Sequence, residues 1–371
     1  MAEISRLFIL LILFFIPFLI FSQNKSFEEI DQQMLAIPGS MEKSSDLIAQ
    51  FINKEFDNEA DKIRAVFIWT AQNISFDIKR LYKTNKNIGK KELIEKTLSQ
   101  RKAVCEGYAT LFNDLATKVG IKSYIINGYT KQNGTVDNYG HAWCIAKIDS
   151  EWFVFDPTWG AGHILNSTRY IKAINNDYFK VDPQDMIASH MPIDPLWQLL
   201  DYPISNQEFY DGKTEIDSTK IFFNYKDSIA SYERQNNLEQ FISSNRRIKE
   251  RGIKNKIIEN HLEYLRIEID YFHNRYNVDK FNLAIDNYNL GVSHYNEFII
   301  YRSKEFKQKK TKGEIQNMLN RAIQSLKLAK KQLNISNPKK QLENSIREAQ
   351  EQIDELLLNC NEQQKFLDTY L

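Results

Sequence analysis

HAWCIAKIDSEWFVFDPTW, residues 141–159, reads as two strands and the turn between them. HAWCIAKI and EWFVFDPTW are short runs of aromatic and branched residues, and Asp149 with Ser150 is a polar pair suited to a two-residue hairpin loop. With that loop, Ile148 lies opposite Glu151, Trp143 opposite Asp156 and His141 opposite Thr158. Facing alternates with a period of two, so His141 and Asp156 become diagonal neighbours on one face while Cys144 turns to the other, as sheet core. An imidazole beside a carboxylate on the adjacent strand has one ring nitrogen held protonated and presents the other to a third group.

Upstream, SYIINGYT is a third run of the same kind. Before it, VCEGYATLFNDLATKVG from Val104 to Gly120 sets Ala109, Phe112, Leu115, Ala116 and Val119 at helical spacing and ends on a glycine stop. Earlier still, ADKIRAVFIWTAQNI places Ile63, Val66, Phe67 and Thr70 or Ile74 on one helical face. A helix layer followed by an antiparallel sheet gives an α+β class. Cys105 stands at the start of the Val104–Gly120 helix. There, unsatisfied N–H groups and the positive end of the helix dipole favour thiolate, and the same N–H groups can hold an oxyanion. Cys105, His141 and Asp156 then have the types needed for nucleophile, base and orienter in acyl transfer. The bland alternatives are a buried cysteine opening a helix, a histidine bonded to backbone and an aspartate ending a strand before Pro157.

The rest of the chain limits the setting. Lys and Arg number 49 against 48 acids, a net charge of +1, so no electrostatic footprint argues for nucleic acid or an anionic membrane surface. LFILLILFFIPFLIF, from Leu7 to Phe21, is an apolar run after a short basic start, shorter than the ~20 residues of a spanning helix. It predicts a signal peptide over 1–22, export to the periplasm or medium, and no membrane span after cleavage. Oxidising compartments favour paired cysteines, yet only Cys105, Cys144 and Cys360 occur, and no two show zinc-site spacing. No metal or cofactor is expected. From about Asp211 the composition turns to Lys, Glu, Asn, Gln, Ile and Leu. Ile258, Leu262, Leu265, Ile269 and Phe272 form one helical stripe; Ile315 to Leu333 and Leu342 to Cys360 form two more. Asn337 and Pro338 suit a cap and first turn for the last. The expectation is a mixed domain over 23–210 and, over 211–371, about five helices in a bundle or coiled coil, with Cys360 as core and self-association as one use.

RKAVCEGYATLFNDLATKVGI, YGHAWCIAKIDSEWFVFDPTWG and ADKIRAVFIWTAQNISFD closely resemble the transglutaminase-like superfamily. YFKVDPQDMIASHMPIDPLWQLLDYPIS looks like the segment that follows the core in its kyphoscoliosis peptidase and cytokinesis protein 3 branch. The resemblance implies a papain-like core in which Cys105 is the nucleophile, His141 the base and Asp156 the orienting acid. It implies a cysteine peptidase or hydrolase acting on amide bonds of a protein or peptide, which with the signal expected over 1–22 becomes an exported one, cell-wall peptide included among its substrates. A cross-linking transglutaminase, and a binding module that keeps the fold without turnover, are the alternatives. Gln100 is read as a surface residue, Glu106 as a complement to the helix N-terminus, and His163 and His190 as pocket or solvated loop histidines. Trp143, Trp152, Trp159 and Tyr129 are candidates for an apolar cleft.

Overall fold

The computed structural model describes residues 26–81, 88–166, 168–307 and 310–370; the Leu7–Phe21 run and its expected cleavage site lie outside them. The chain divides into two compact units, one ending at Ser228 and the other beginning at Ile229.

The first unit opens with α1 (Phe27–Leu35), α2 (Ser45–Glu55), α3 (Glu59–Asn73), β1 (Ser75–Phe76), α4 (Ile78–Leu81), α5 (Lys90–Gln100), β2 (Lys102–Ala103) and α6 (Cys105–Lys118). The hydroxyls of Ser26 and Ser44 and the amide oxygen of Asn58 cap the first three long helices by accepting N–H groups of their opening turns. One apolar face was expected of α3, but every residue from Ile63 to Ala71 is buried, because α1, α2 and α6 all pack on it. Even Arg64 is enclosed. Its guanidinium binds both carboxylate oxygens of Asp31, at 2.8 and 2.6 Å, and the Asn176 side-chain oxygen at 2.7 Å, which is what lets a charge sit there.

The sheet follows. β3 (Ser123–Gln132), β4 (Thr135–Ile148) and β5 (Glu151–Phe155) precede a small hairpin of β6 (Gly162–Leu165) and β7 (Arg169–Lys172). Then come α7 (Pro183–Met186), β8 (His190–Pro192), α8 (Asn206–Asp211) and α9 (Tyr225–Arg234). The main sheet has order β5-β4-β3-β8 and is antiparallel throughout. Ile148 pairs with Glu151 and Cys144 with Phe155, the register a two-residue loop dictates. Asp149 and Ser150 both take left-handed φ, 49° and 74°, as a type I′ turn requires. β5 stops at Phe155, short of the expected Trp159. Pro157 has no N–H for a ladder, and the chain turns there, with the Gly160 N–H bonded to the Asp156 carbonyl, so Thr158 does not pair with His141. One face of the sheet packs on α6: the Cys144 thiol donates to the Ala109 carbonyl at 3.2 Å, and the Phe112 and Phe155 rings lie 5.3 Å apart.

The second unit begins within α9, at Ile229, and contains α10 (Asn237–Arg251), α11 (Lys256–Ser303), α12 (Lys312–Gln332) and α13 (Lys340–Tyr370). The stripe beginning at Ile258 belongs to a single helix of 48 residues, longer than its apolar pattern indicated. Gly291 does not break it; a Cβ there would lie 2.7 Å from the Leu326 Cγ, so the glycine is the point of close approach between α11 and α12. α13 starts at Lys340, after Asn337 and Pro338 and not on them, because Asn337 adopts a left-handed φ of 50°. Ile315, Leu319, Ala322, Leu326, Ile353 and Cys360 are buried in one apolar core. Among the described residues no helix is long and apolar enough to cross a membrane.

Candidate active site

The site is organised by Asp156, the first residue after β5, whose side chain is wholly buried. Its Oδ1 accepts the N–H groups of Thr158 at 2.8 Å and Trp159 at 3.2 Å, so the turn that ends the strand also fixes the carboxylate. Its Oδ2 lies 2.8 Å from His141 Nε2 and 3.2 Å from His190 Nε2. Burial alone would push this carboxyl up. The charge of His141, and hydrogen bonds from both imidazoles, outweigh it and hold the carboxyl far below the usual range.

His141 comes from β4, on the face opposite Cys144, with its ring 5.6 Å from that of Trp159 and stacked on Trp143 at 6.0 Å. Burial opposes its imidazolium, but the Asp156 carboxylate overcomes that and a hydrogen bond with Cys105 adds to it, lifting its pKa to about 10. Since Nε2 is committed to Asp156, Nδ1 is the nitrogen left for the thiol. Cys105 opens α6 and is half-buried. Its helix has no side-chain cap, because the N-cap position is Val104, and the Gly107 N–H bonds the Val104 carbonyl at 2.9 Å, so the backbone donor nearest the sulfur is the N–H of Cys105 itself.

His190 was read as a pocket or loop histidine, and the structure places it at the centre. It is buried on β8 with Nδ1 2.8 Å from the Ser189 hydroxyl, and its ring lies 4.6 Å from that of Trp159 and 5.0 Å from that of Trp143. β8 is three strands from β5, a separation of about 14 Å in a flat sheet. Asp156 lies past the end of β5, where the chain turns at Pro157, and its side chain and that of His190 close the remaining gap over the face that carries His141. Gly128 permits the approach. It lies on β3 between His141 of β4 and Pro192 of β8, and a Cβ there would collide with the Trp143 ring and the Met191 carbonyl oxygen.

The other expected residues fall elsewhere. Gln100 ends α5 exposed, and His163 is exposed on β6. Trp152 packs on Tyr124, while the Tyr129 hydroxyl bonds the Asn206 side chain at 2.8 Å beside Phe209, so of the four aromatics only Trp143 and Trp159 flank the imidazoles. His141, Asp156 and His190 together are also a donor set that a metal could use. Here those atoms bond one another directly, and a cation would have to displace two N–H protons in a buried site. A cleft of about 760 Å³ bordered by Glu42, Ile94 and Lys118 contains none of these residues. Several of its charges are paired, Lys118 with Asp46 at 2.8 Å and Asp114 at 2.9 Å, and Arg101 with Glu42 at 3.3 Å.

A cysteine at a helix N-terminus, an imidazole against it and a buried carboxylate behind that imidazole define a papain-like core. Residues 46–157 match the transglutaminase-like superfamily, and this part of the chain is a transglutaminase-like domain. Kyphoscoliosis peptidase of Homo sapiens is 29% identical over 195 residues, covering 50% of this chain and 28% of that protein. Cytokinesis protein 3 of Schizosaccharomyces pombe is 24% identical over 186 residues, covering 48% of this chain and 20% of that protein. The chain thus spans under a third of the length of these curated relatives. Among solved structures, arylamine N-acetyltransferase C from Bacillus anthracis aligns with 16% identity and a TM-score of 0.27, over 53% of this chain and 78% of that one.

Proposed function

We propose that the first unit is a cysteine hydrolase or acyltransferase acting on amide bonds of proteins or peptides, with peptidase activity the nearest form. The observation that carries this reading is His141, one nitrogen held by the buried Asp156 carboxylate at 2.8 Å, with Cys105 at the head of α6 among the groups that act on its protonation. In the reaction the Cys105 sulfur attacks the carbonyl carbon, and the oxyanion formed is met by the N–H of Cys105 at the uncapped start of α6. The C–N bond breaks, the His141 imidazolium gives its proton to the departing amine, and a thioester remains. Water, activated by the now neutral His141, attacks the thioester, releases the acid and restores the thiol; an amine in place of water gives transfer instead. The name of the human relative, a peptidase, supports hydrolysis. The name of the yeast relatives, cytokinesis protein 3, contains no enzyme term, and a binding module that keeps the fold is the competing reading. Export, read from the Leu7–Phe21 run, belongs to the same proposal: a free thiol in an oxidising compartment is one that chemistry requires to stay unpaired.

A thiol-reactive peptide probe tests this. Labelling should be lost in Cys105→Ala and in His141→Ala; equal labelling of both variants and of the parent protein would favour the binding module. Peptide libraries incubated with and without a primary amine, followed by mass spectrometry, then assign the acceptor.

A further inference from the structure

We propose that His190 is a positioning residue of this site: its Nε2–H anchors the Asp156 carboxylate and tempers how tightly that carboxylate holds the proton of His141. The inference rests on the acyl-transfer reading above. His190 lies 33 residues beyond the stretch matched by the family (190 − 157), on an edge strand that the core sequence does not include.

Several observations converge on it. Oδ2 of Asp156 is shared, 2.8 Å from His141 and 3.2 Å from His190, so the two imidazoles compete for one oxygen. An ionised carboxylate only accepts, so His190 Nε2 bears the hydrogen. Its Nδ1 then accepts from the Ser189 hydroxyl at 2.8 Å, a shorter contact than the 3.4 Å from that hydroxyl to the Met186 carbonyl. A neutral, single tautomer is thereby fixed. Neutrality also follows from the surroundings: His190 is buried among Trp143, Trp159 and Tyr178, and cationic His141 stands 5.6 Å away, ring to ring. Of the charged groups that act on it, Asp156 and Asp137 favour protonation, while burial and His141 oppose it and prevail. One carboxylate is thus held between a charged histidine and a neutral one. The neutral donor takes up part of the Oδ2 charge, which leaves His141 acidic enough to release its proton to the leaving amine.

The test uses the full chain and iodoacetate, whose CH₂ carbon is attacked by the Cys105 sulfur as iodide departs. Because the reagent is an anion, its rate falls as the neighbouring imidazolium loses its proton, so the alkaline limb of the pH profile reports His141. His190→Phe fills the space without a donor, and the limb should move up by about half a pH unit or more. His190→Gln keeps an N–H of similar reach and should restore the parent profile. Ser189→Ala, which releases the tautomer lock, should move the limb in the same direction by less, and it decides the matter if His190→Phe does not fold. An unmoved limb in His190→Phe and Ser189→Ala, or an equal shift in His190→Gln and His190→Phe, would overturn the positioning role. Failure of the underlying reading looks different: the parent protein itself would then lack an alkaline limb that disappears in His141→Ala.

Discussion

Asp156→Asn is nearly isosteric, yet the contacts around Asp156 predict that an amide cannot take its place. Oδ1 receives two backbone N–H groups, at 2.8 and 3.2 Å, and Oδ2 faces two imidazole nitrogens, at 2.8 and 3.2 Å. An asparagine has one accepting oxygen and one donating NH₂. If its oxygen keeps the turn, the NH₂ faces His141 and His190, donor against donor, and His141 is pushed into the wrong tautomer. If it flips, the NH₂ faces the Thr158 and Trp159 N–H groups and the turn loosens. Either orientation forfeits two hydrogen bonds to a charged acceptor, about 3–6 kcal/mol in all at ~1.5–3 kcal/mol each, divided between folding and reactivity. Loss of the correct tautomer in a comparable triad lowers turnover by ~10⁴, so a fall of about 10³ to 10⁴ in the acylation rate is expected. With the carboxylate gone, the largest influence that raises the His141 pKa is lost and burial is opposed only by Cys105, so the pKa should fall well below about 10. The assay is the second-order rate of inactivation by a peptide probe across pH, with thermal unfolding run in parallel. A variant that reacts within about tenfold of the parent, with an unmoved alkaline limb, would refute the reasoning.

Stability should follow the same pair. The raised His141 pKa contributes stability that is present in full below about pH 6.5 and is lost as pH rises through about 10, whereas the depressed Asp156 carboxyl contributes above about pH 4 and loses it as pH falls; denaturant titrations at several pH values should show both slopes reduced in His141→Ala. Gly128→Ala should cost about 1–3 kcal/mol in chemical unfolding and lower Cys105 reactivity as well, since the added methyl meets Trp143 and the Met191 carbonyl and separates β8 from β3. Ser150→Gly relieves a left-handed serine at φ 74° in the β4–β5 turn and should stabilise by about 0.5–1 kcal/mol, a rise of a few degrees in the melting temperature. In native Cys105→Ala, iodoacetamide should leave Cys144 unmodified until denaturant is added, because burial beneath α6 pushes its thiol well up.

The hairpin through Asp149 and Ser150 shows how far the sequence by itself reached. Alternation is a local property of the chain, so two strands and a two-residue loop suffice to put His141 and Asp156 on one face, and the observed register agrees. The same local reasoning gave Cys105 its place at the head of α6 and Cys360 its place in an apolar stripe. Pro157 could have been read as the end of the strand, since a missing N–H is visible in the sequence. Three things were decided only by tertiary structure. The burial of α3 on all sides depends on three other helices closing around it, and no periodicity within one helix records that. The need for a glycine at 291, inside α11, depends on Leu326 of a different helix occupying the space of a Cβ. His190 meets Asp156 only because the chain turns after β5 and because Gly128 leaves room for Trp143 and the Met191 carbonyl between the strands that carry the two histidines. Strand alternation fixes which face a side chain occupies; which residues of distant strands meet on that face is decided by strand order and by the chain's path after each strand, and neither is a local property of the sequence.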